Sequence, residues 1–260
     1  MSSTFAHVDK KISEIDYYID RRQKKKERKA SNRNRQESGL ALRDIVPLTD
    51  TQQDVFSAYN SGYNAVLHGC AGTGKTFLSS YLAIRDIINK VDQKQKLIIV
   101  RSVVPTRDMG FLPGSIAEKS KVYEAPYQAI FTELFGRGDA YEVLKQRHKV
   151  QFTTTSFVRG QTWDDAIIIV DEFQNMSWQE LNTIITRVGE NSRIIFSGDG
   201  KQDDLTSTRY STESGAAKFV KVLSQMDSFA TVDFGPDDIV RSDFVKEYIQ
   251  TCYKMGIYGG

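Results

Sequence analysis

Gly69-Cys70-Ala71-Gly72-Thr73-Gly74-Lys75-Thr76 is the stretch that decides how the rest of the chain is read. It fits G-x-x-x-x-G-K-[ST], a loop that cradles nucleoside phosphates. The motif requires a strand before it and a helix after it. Tyr63–His68 predicts a buried strand, and Thr76–Lys90 predicts a helix. Glycines allow successive backbone N–H groups to turn inward onto phosphate oxygens, and the helix N-terminus adds free donors and a favourable dipole. Lys75 has the reach for the β- and γ-phosphates, and the Thr76 hydroxyl can bind Mg²⁺. The expected nucleotide-binding set is Gly69 through Phe77, that is Gly69, Cys70, Ala71, Gly72, Thr73, Gly74, Lys75, Thr76 and Phe77. The competing reading is a chance match in a glycine-rich turn, which the flanking elements disfavour.

A second stretch strengthens the first. Ile167-Ile168-Ile169-Val170 is followed by Asp171-Glu172. Four apolar residues ending in two acids place the acids at the carboxyl end of a buried strand, where α/β sheets bind ligands. Asp171 is then the expected metal ligand together with Thr76, and Glu172 the group that polarises an attacking water. A strand that merely ends in two solvated acids is the alternative.

The third stretch is Ser197-Gly198-Asp199-Gly200-Lys201-Gln202-Asp203-Asp204. Gln202 could sense a γ-phosphate or hold the lytic water, and Asp199 could support the metal or Thr76; an acidic turn is the plainer reading. Gly200-Lys201-Gln202-Asp203 mimics a guanine-binding N-K-x-D motif, but Gly200 stands where the base-bonding Asn is needed, which disfavours GTP. Gln52 precedes the loop on a predicted helix, where its amide could bond both edges of an adenine; a solvent-facing Gln competes with that role. Hydrolysis of this kind also needs a cation on the developing phosphate charge. Arg101, Arg159, Arg187, Arg209 and Arg241 lie near predicted strand ends or in loops, with Arg241 and Arg159 the best placed, although any one arginine is more often a surface residue.

Outward from these motifs the chain alternates strand and helix signals. Strands are predicted at Tyr63–His68, Leu97–Arg101, Val150–Thr154, Ala166–Asp171, Ser192–Ser197 and Thr231–Phe234. Helices are predicted at Thr51–Tyr59, Thr76–Lys90, Ser115–Phe135, Ser177–Thr186 and Glu213–Leu223. Near-continuous apolar strands are those of a parallel sheet covered on both faces, so the fold class is α/β. The 260 residues are 40% hydrophobic and 26% charged, enough to build a core. Charge is uneven: residues 21–36 hold nine Arg or Lys and one Glu, a net of +8, so against +2 overall the remainder carries −6. Val8, Ile12, Ile15 and Ile19 recur at helical spacing ahead of that run. Residues 1–46 are thus expected to form a basic arm, helical or disordered, with 47–260 as the catalytic domain. The arm is either a solvated tail or a contact for nucleic-acid phosphates. Two cysteines give no disulfide framework, which points to a reducing compartment. No apolar run approaches a membrane span and no secretory signal is visible.

In order along the chain these segments resemble the PhoH-like family, P-loop ATPases whose core is similar to the first motor domain of superfamily-one helicases. The resemblance runs from about Thr49 to Tyr253. It rests on Thr49 and Gln52, Gly72–Thr76, Gly110-Phe111-Leu112-Pro113-Gly114 with Glu118-Lys119, Tyr123 and Pro126, and Arg159-Gly160 with Thr162. Asp171-Glu172 with Gln174-Asn175, Thr186-Arg187 with Gly189, Gly198-Asp199 with Gln202 and Asp204, Ser214-Gly215, and Val240-Arg241 complete it. Ser102, Gly69-Cys70 and Gln161 depart from the family's usual residues without removing a phosphate or metal ligand. The resemblance implies a RecA-like P-loop NTPase domain, a mostly parallel sheet flanked by helices, that binds and hydrolyses ATP with Mg²⁺. It also implies action on RNA or single-stranded DNA, in the cytoplasm of a bacterium or phage-infected host. About 30 residues follow Thr231, too few for a second motor, so a neighbouring copy is expected to close the site with Arg241 or Arg159, in a homo-oligomeric ring for which the resemblance implies a hexamer. A nucleotide-gated assembly module with slow turnover is the alternative; a small-molecule kinase is disfavoured.

Overall fold

The computed structural model describes residues 40–102, 116–199 and 215–257. The chain divides into two compact units, Met1–Leu42 and Arg43–Gly260. Of the first, only residues 40–42 are described, and they are in neither helix nor strand. The predicted arm helix, the Gly110–Gly114 loop, Arg209 and the Gly200–Asp204 stretch with Gln202 lie outside the described residues.

The second unit is built on six strands: β1 (Asn64–Gly69), β2 (Lys96–Arg101), β3 (Val150–Thr154), β4 (Ala166–Asp171), β5 (Arg193–Ser197) and β6 (Phe229–Phe234). Their order is β3-β2-β4-β5-β1-β6, and every neighbouring pair is parallel. Strand β5 thus separates the strand that feeds the glycine loop from the strand that ends in the acids, a RecA-like arrangement.

Parallel strands need crossovers, and the helices supply all of them but the one from β3 to β4. In chain order they are α1 (Asp50–Asn60), α2 (Lys75–Asn89), α3 (Ile116–Phe135), α4 (Ala140–Gln146), α5 (Trp178–Ile185), α6 (Gly215–Leu223) and α7 (Asp243–Lys254). All six β4 residues are buried, because both faces of the sheet are covered. On one face Val100, Ile168, Val170 and Phe196 pack with Leu181 of α5 and Phe219 of α6. The alternate positions, such as Leu67, Ile99, Ile169 and Ile195, are equally buried and lie on the other face, where α2 crosses β2, β4 and β5. Helix α1 starts at Thr49, whose hydroxyl caps Gln52 N–H, and α5 starts with a reciprocal Ser177–Glu180 capping box. Registry puts Arg101, Asp171 and Ser197 side by side at the carboxyl ends of β2, β4 and β5.

The strands and helices predicted from Thr51 onward all appear among the described residues, with bounds shifted by up to two residues where both sides of the end are described. Helices α4 and α7 are not among the elements the sequence predicts.

A phosphate loop and an acidic strand end at one edge of the sheet

The loop leaves β1 at Gly69, whose φ is +109°. A Cβ there would collide with the Phe234 carbonyl oxygen of β6, so only glycine lets the strands pair to their last residue. Cys70 N–H then donates to that same oxygen at 2.9 Å. Gly74 (φ +85°) turns the chain into α2, and Ala71 lies exposed at the loop's tip while Phe77 is half-buried on the first helical turn.

Lys75 is buried, and its ammonium donates to the carbonyls of Gly69 (2.8 Å) and Cys70 (2.6 Å) and to Thr73 Oγ1 (3.3 Å). Burial lowers its pKa, and the charges of Asp199, Cys70, Glu172 and Asp171 work against that. Thr73 is wholly buried, and its hydroxyl donates to Cys70 C=O at 2.9 Å.

Two outside elements brace the loop. Gln52 of α1 donates from Nε2 to Thr73 C=O (3.0 Å) and accepts Leu48 N–H at Oε1 (2.8 Å). A glutamine amide has two donors and two lone pairs, so one of each is left over on a side chain that is 2% exposed, buried where the competing expectation is a solvent-facing Gln. From the other side Val240 N–H donates to Gly72 C=O at 3.0 Å. The next residue, Arg241, runs along the loop: a Cβ at Gly72 would lie 3.1 Å from Arg241 Cγ. Expected at the loop of a neighbouring copy, Arg241 lies against its own.

The acids arrive from β4. Asp171 Oδ1 accepts from Thr76 Oγ1 at 2.7 Å, and Oδ2 accepts from the buried Tyr127 hydroxyl at 2.7 Å. Ser197 Oγ stands 3.5 Å from Thr76 Oγ1. Burial pushes the Asp171 carboxyl above its ordinary value, although the Tyr127 and Thr76 hydrogen bonds pull it down; Glu172 raises it further and Arg101 lowers it. Burial and the neighbouring Asp171 keep the Tyr127 phenol protonated, so it serves as a donor.

Glu172 has a left-handed backbone (φ 53°) that turns its side chain away from the strand's alternation. Its Oε2 accepts from Gln174 Nε2 at 2.6 Å, and Gln174 Oε1 accepts Asp199 N–H at 3.1 Å. One glutamine thus links the ends of β4 and β5. A Cβ at Gly198 would collide with Gln174 Oε1, so glycine makes room for the link.

The donor set suits Mg²⁺. The Thr76 hydroxyl and Asp171 carboxylate are hard oxygens, and the partly desolvated negative charge of Asp171 favours a cation. Magnesium is held by one or two carboxylates with substrate phosphates and waters, not by an all-protein cage. Among the described residues there is no cluster of three or more His, Cys, Asp or Glu suited to a metal.

The other arginines are dispersed. Arg159 follows β3, which is four strands from β1 in the sheet order. It lines a cleft of about 340 Å³ with Ser156, Gln179 and Glu180. Arg187 is placed ahead of β5, where its carbonyl accepts from Trp163 N–H. Arg101 ends β2 beside Asp171. Tyr127 and Ser197 carry no site signal in the sequence, and Gln174 stands out there only within the family pattern.

The sheet order, the glycine loop after β1 and the acids after β4 define a P-loop nucleotide-binding domain. The chain belongs to the PhoH family: the model of PhoH-like proteins matches residues 44–254. A PhoH-like protein of Bacillus subtilis (strain 168) is 32% identical over 188 residues, covering 72% of this chain and 57% of that protein. Protein PhoH of Escherichia coli (strain K12) is 32% identical over 205 residues, covering 77% and 56%. The chain therefore spans a little over half the length of these relatives. Among solved structures, a large terminase from a thermophilic bacteriophage, in complex with ADP, aligns at 14% identity and a TM-score of 0.46, over 80% of this chain and 50% of that one. Both cysteines are free thiols, and among the described residues no helix is long and apolar enough to cross a membrane.

Proposed function

We propose that this chain is a Mg²⁺-dependent ATPase whose turnover is coupled to RNA or single-stranded DNA. The observation that carries the reading is the 2.7 Å bond between Thr76 of the loop and Asp171 of the acidic strand. It supports a single site holding a phosphate cradle and a metal-binding pair.

In this reading the loop N–H groups from Gly69 to Thr76 and the Lys75 ammonium hold the phosphates, Lys75 exchanging loop carbonyls for phosphate oxygens. Thr76 and Asp171 hold Mg²⁺, which when bound neutralises phosphate charge. Tyr127 keeps the Asp171 carboxylate in place. Glu172, oriented by Gln174, aligns the attacking water and accepts its proton. Gln52 offers its remaining donor and acceptor to adenine, Arg241 is a cation beside the loop, and Gln202 senses the γ-phosphate. Protein groups of this kind act mainly by position and charge.

The basic arm, residues 1–46, is read as the part that adds phosphate-backbone affinity, with residues 47–260 as the ATPase domain, working in the cytoplasm. A homo-oligomeric ring, a hexamer by family resemblance, belongs to the same reading. Native mass spectrometry giving a fully active monomer would remove the ring.

The decisive experiment is ATP turnover with and without Mg²⁺, RNA and single-stranded DNA, on wild type and Glu172→Gln. Loss of turnover in the variant, with stimulation of wild type by a single strand, is expected. Stimulation by neither nucleic acid, with no binding at low salt, sinks the coupling. The second reading is a nucleotide-gated assembly module, favoured by a loop whose lysine is satisfied within the chain. It predicts that Glu172→Gln keeps ATP-dependent assembly intact.

A further inference from the structure

Beyond β3 the chain makes a short 3₁₀ turn, Thr155–Phe157, and then presents three residues in alternation. Phe157 is 51% exposed, Val158 is fully buried, and Arg159 is exposed again. The turn is braced from beneath. Gln161 Nε2 donates to Phe157 C=O at 2.6 Å, and Gln161 Oε1 accepts from the indole N–H of Trp163 at 2.9 Å. Trp163 is 2% exposed, so this brace is anchored in the core. A large aromatic held outward on a rigid support is a prepared contact surface.

Beside it is the cleft that Arg159 lines, with Ser156 and Gln179 in its walls. Its carboxylate, Glu180, is already engaged: Oε2 accepts both the N–H and the hydroxyl of Ser177 at 2.9 Å. One cation with one committed acid suits a ligand whose charges come singly and spaced by neutral groups. A phosphodiester chain has that pattern, and a terminal phosphate dianion does not. The volume, about 340 Å³, is at the small end for ligand sites and fits one nucleotide unit. A base can lie on Phe157 only if it is unpaired and unstacked, which selects a single strand over a duplex.

We infer that the Phe157–Arg159 turn and its adjoining cleft hold one unit of a single-stranded nucleic acid, the base stacked on Phe157 and the phosphodiester on Arg159. This rests on the nucleic-acid coupling proposed above and gives it a place. The placement also has a route to the phosphate site: Ser177, in the cleft wall, is five residues beyond Glu172, with the 3₁₀ turn Phe173–Asn175 between them. It assigns Arg159 to strand binding in cis, and not to a neighbour's phosphates.

The test is fluorescence anisotropy of the full chain with labelled oligo(U), oligo(dT) and a duplex of equal length. Phe157→Ala is expected to weaken single-strand affinity about tenfold, the scale of one lost base stack, with Phe157→Trp restoring it. Arg159→Ala is expected to weaken it as well and to reduce the salt slope by about 0.7, one phosphate contact. Both side chains are exposed, so melting temperatures should match wild type. If wild type binds single strands and both alanine variants bind equally well, this site is wrong while the coupling stands. If wild type binds neither oligonucleotide at low salt, both fall. Duplex binding as tight as single-strand binding, and equally sensitive to Phe157, overturns the choice of a single strand. The oligo(U) and oligo(dT) arms tell RNA from DNA.

Discussion

The β1 end and the β3 end of the sheet's carboxyl edge are built on opposite principles. At β1 the loop is knitted inward: Lys75, Thr73 and the Gly72 carbonyl all bond within the chain, and Gln52 and Val240 grip it from two sides. At β3 a braced turn points an aromatic and a cation outward. The first region commits its hydrogen bonds to geometry before any ligand arrives, as phosphate chemistry requires. The second places its hydrogen bonds in the support beneath and leaves the contact surface open, as a site for exchangeable units requires.

The contrast can be broken at several points. Lys75→Ala should have the largest effect, lowering affinity for a fluorescent ATP analogue by roughly 100-fold or more, because it removes the loop's cation. Unchanged affinity would mean that the inward knitting is not the phosphate site. Tyr127→Phe comes next. It deletes a donor to Asp171 Oδ2, so the Mg²⁺ concentration for half-maximal turnover should rise about 10- to 100-fold. Stability should also fall by about 1–3 kcal/mol, from a buried carboxylate oxygen left without its partner. A Mg²⁺ titration that superimposes on wild type would show that Tyr127 is structural only.

Gln52→Ala should lower stability by about 1–3 kcal/mol in urea unfolding, because Thr73 C=O loses its partner in a buried place and Leu48 N–H loses one in a partly buried place. An equal loss in an ATP-saturated sample would make Gln52 a brace without a ligand role, whereas a loss that grows with ATP would implicate it in binding as well.

The smallest effect is on pH. Burial raises the Asp171 carboxyl in the folded chain. A carboxyl raised on folding binds its proton more tightly in the native state. Its contribution is therefore fully present below the unfolded pKa, near about 4, and is lost as pH climbs through the folded value. Ligand-free Asp171→Asn should therefore melt above wild type at neutral pH, with the gap closing toward about pH 4 while Mg²⁺-dependent turnover is absent. A gap that widens on acidification would reverse the sign argument.

The β1 end is far more legible in the sequence than the β3 end. Glycines, the Lys75-Thr76 pair and an apolar strand ending in Asp171-Glu172 are local patterns, and local patterns survive in one dimension. The apolar runs also reveal the central strands β2, β4 and β5, which are buried on both faces, whereas β3 and β6 at the sheet's edges are partly exposed and mix polar residues in. Helix α4 is only seven residues long, too short for a clear period, whereas α7 places Phe244, Tyr248 and Cys252 at helical spacing and is legible in the sequence although it buries no residue. Tyr127 is silent in the sequence because its role depends on a partner 44 residues away. Arg241 stands out among the arginines, yet spacing does not reveal that the segment after β6 folds back onto Gly72 of the same chain. In the Phe157 turn Arg159 belongs to the family pattern, but Phe157 belongs to no motif; only exposure, with Trp163 beneath, sets it apart.

The two grips on the loop also bear on when the site comes into being during synthesis. Gln52 is made before β1, but Val240 emerges only after all six strands. Contacts between segments so distant in sequence form late, after the intervening chain has folded. A nascent chain stalled short of Val240 would have its glycine loop and acids but only half of the loop's support. The nucleotide site is thus among the last parts of the domain to mature, which delays ligand binding until the sheet that must respond to it is complete.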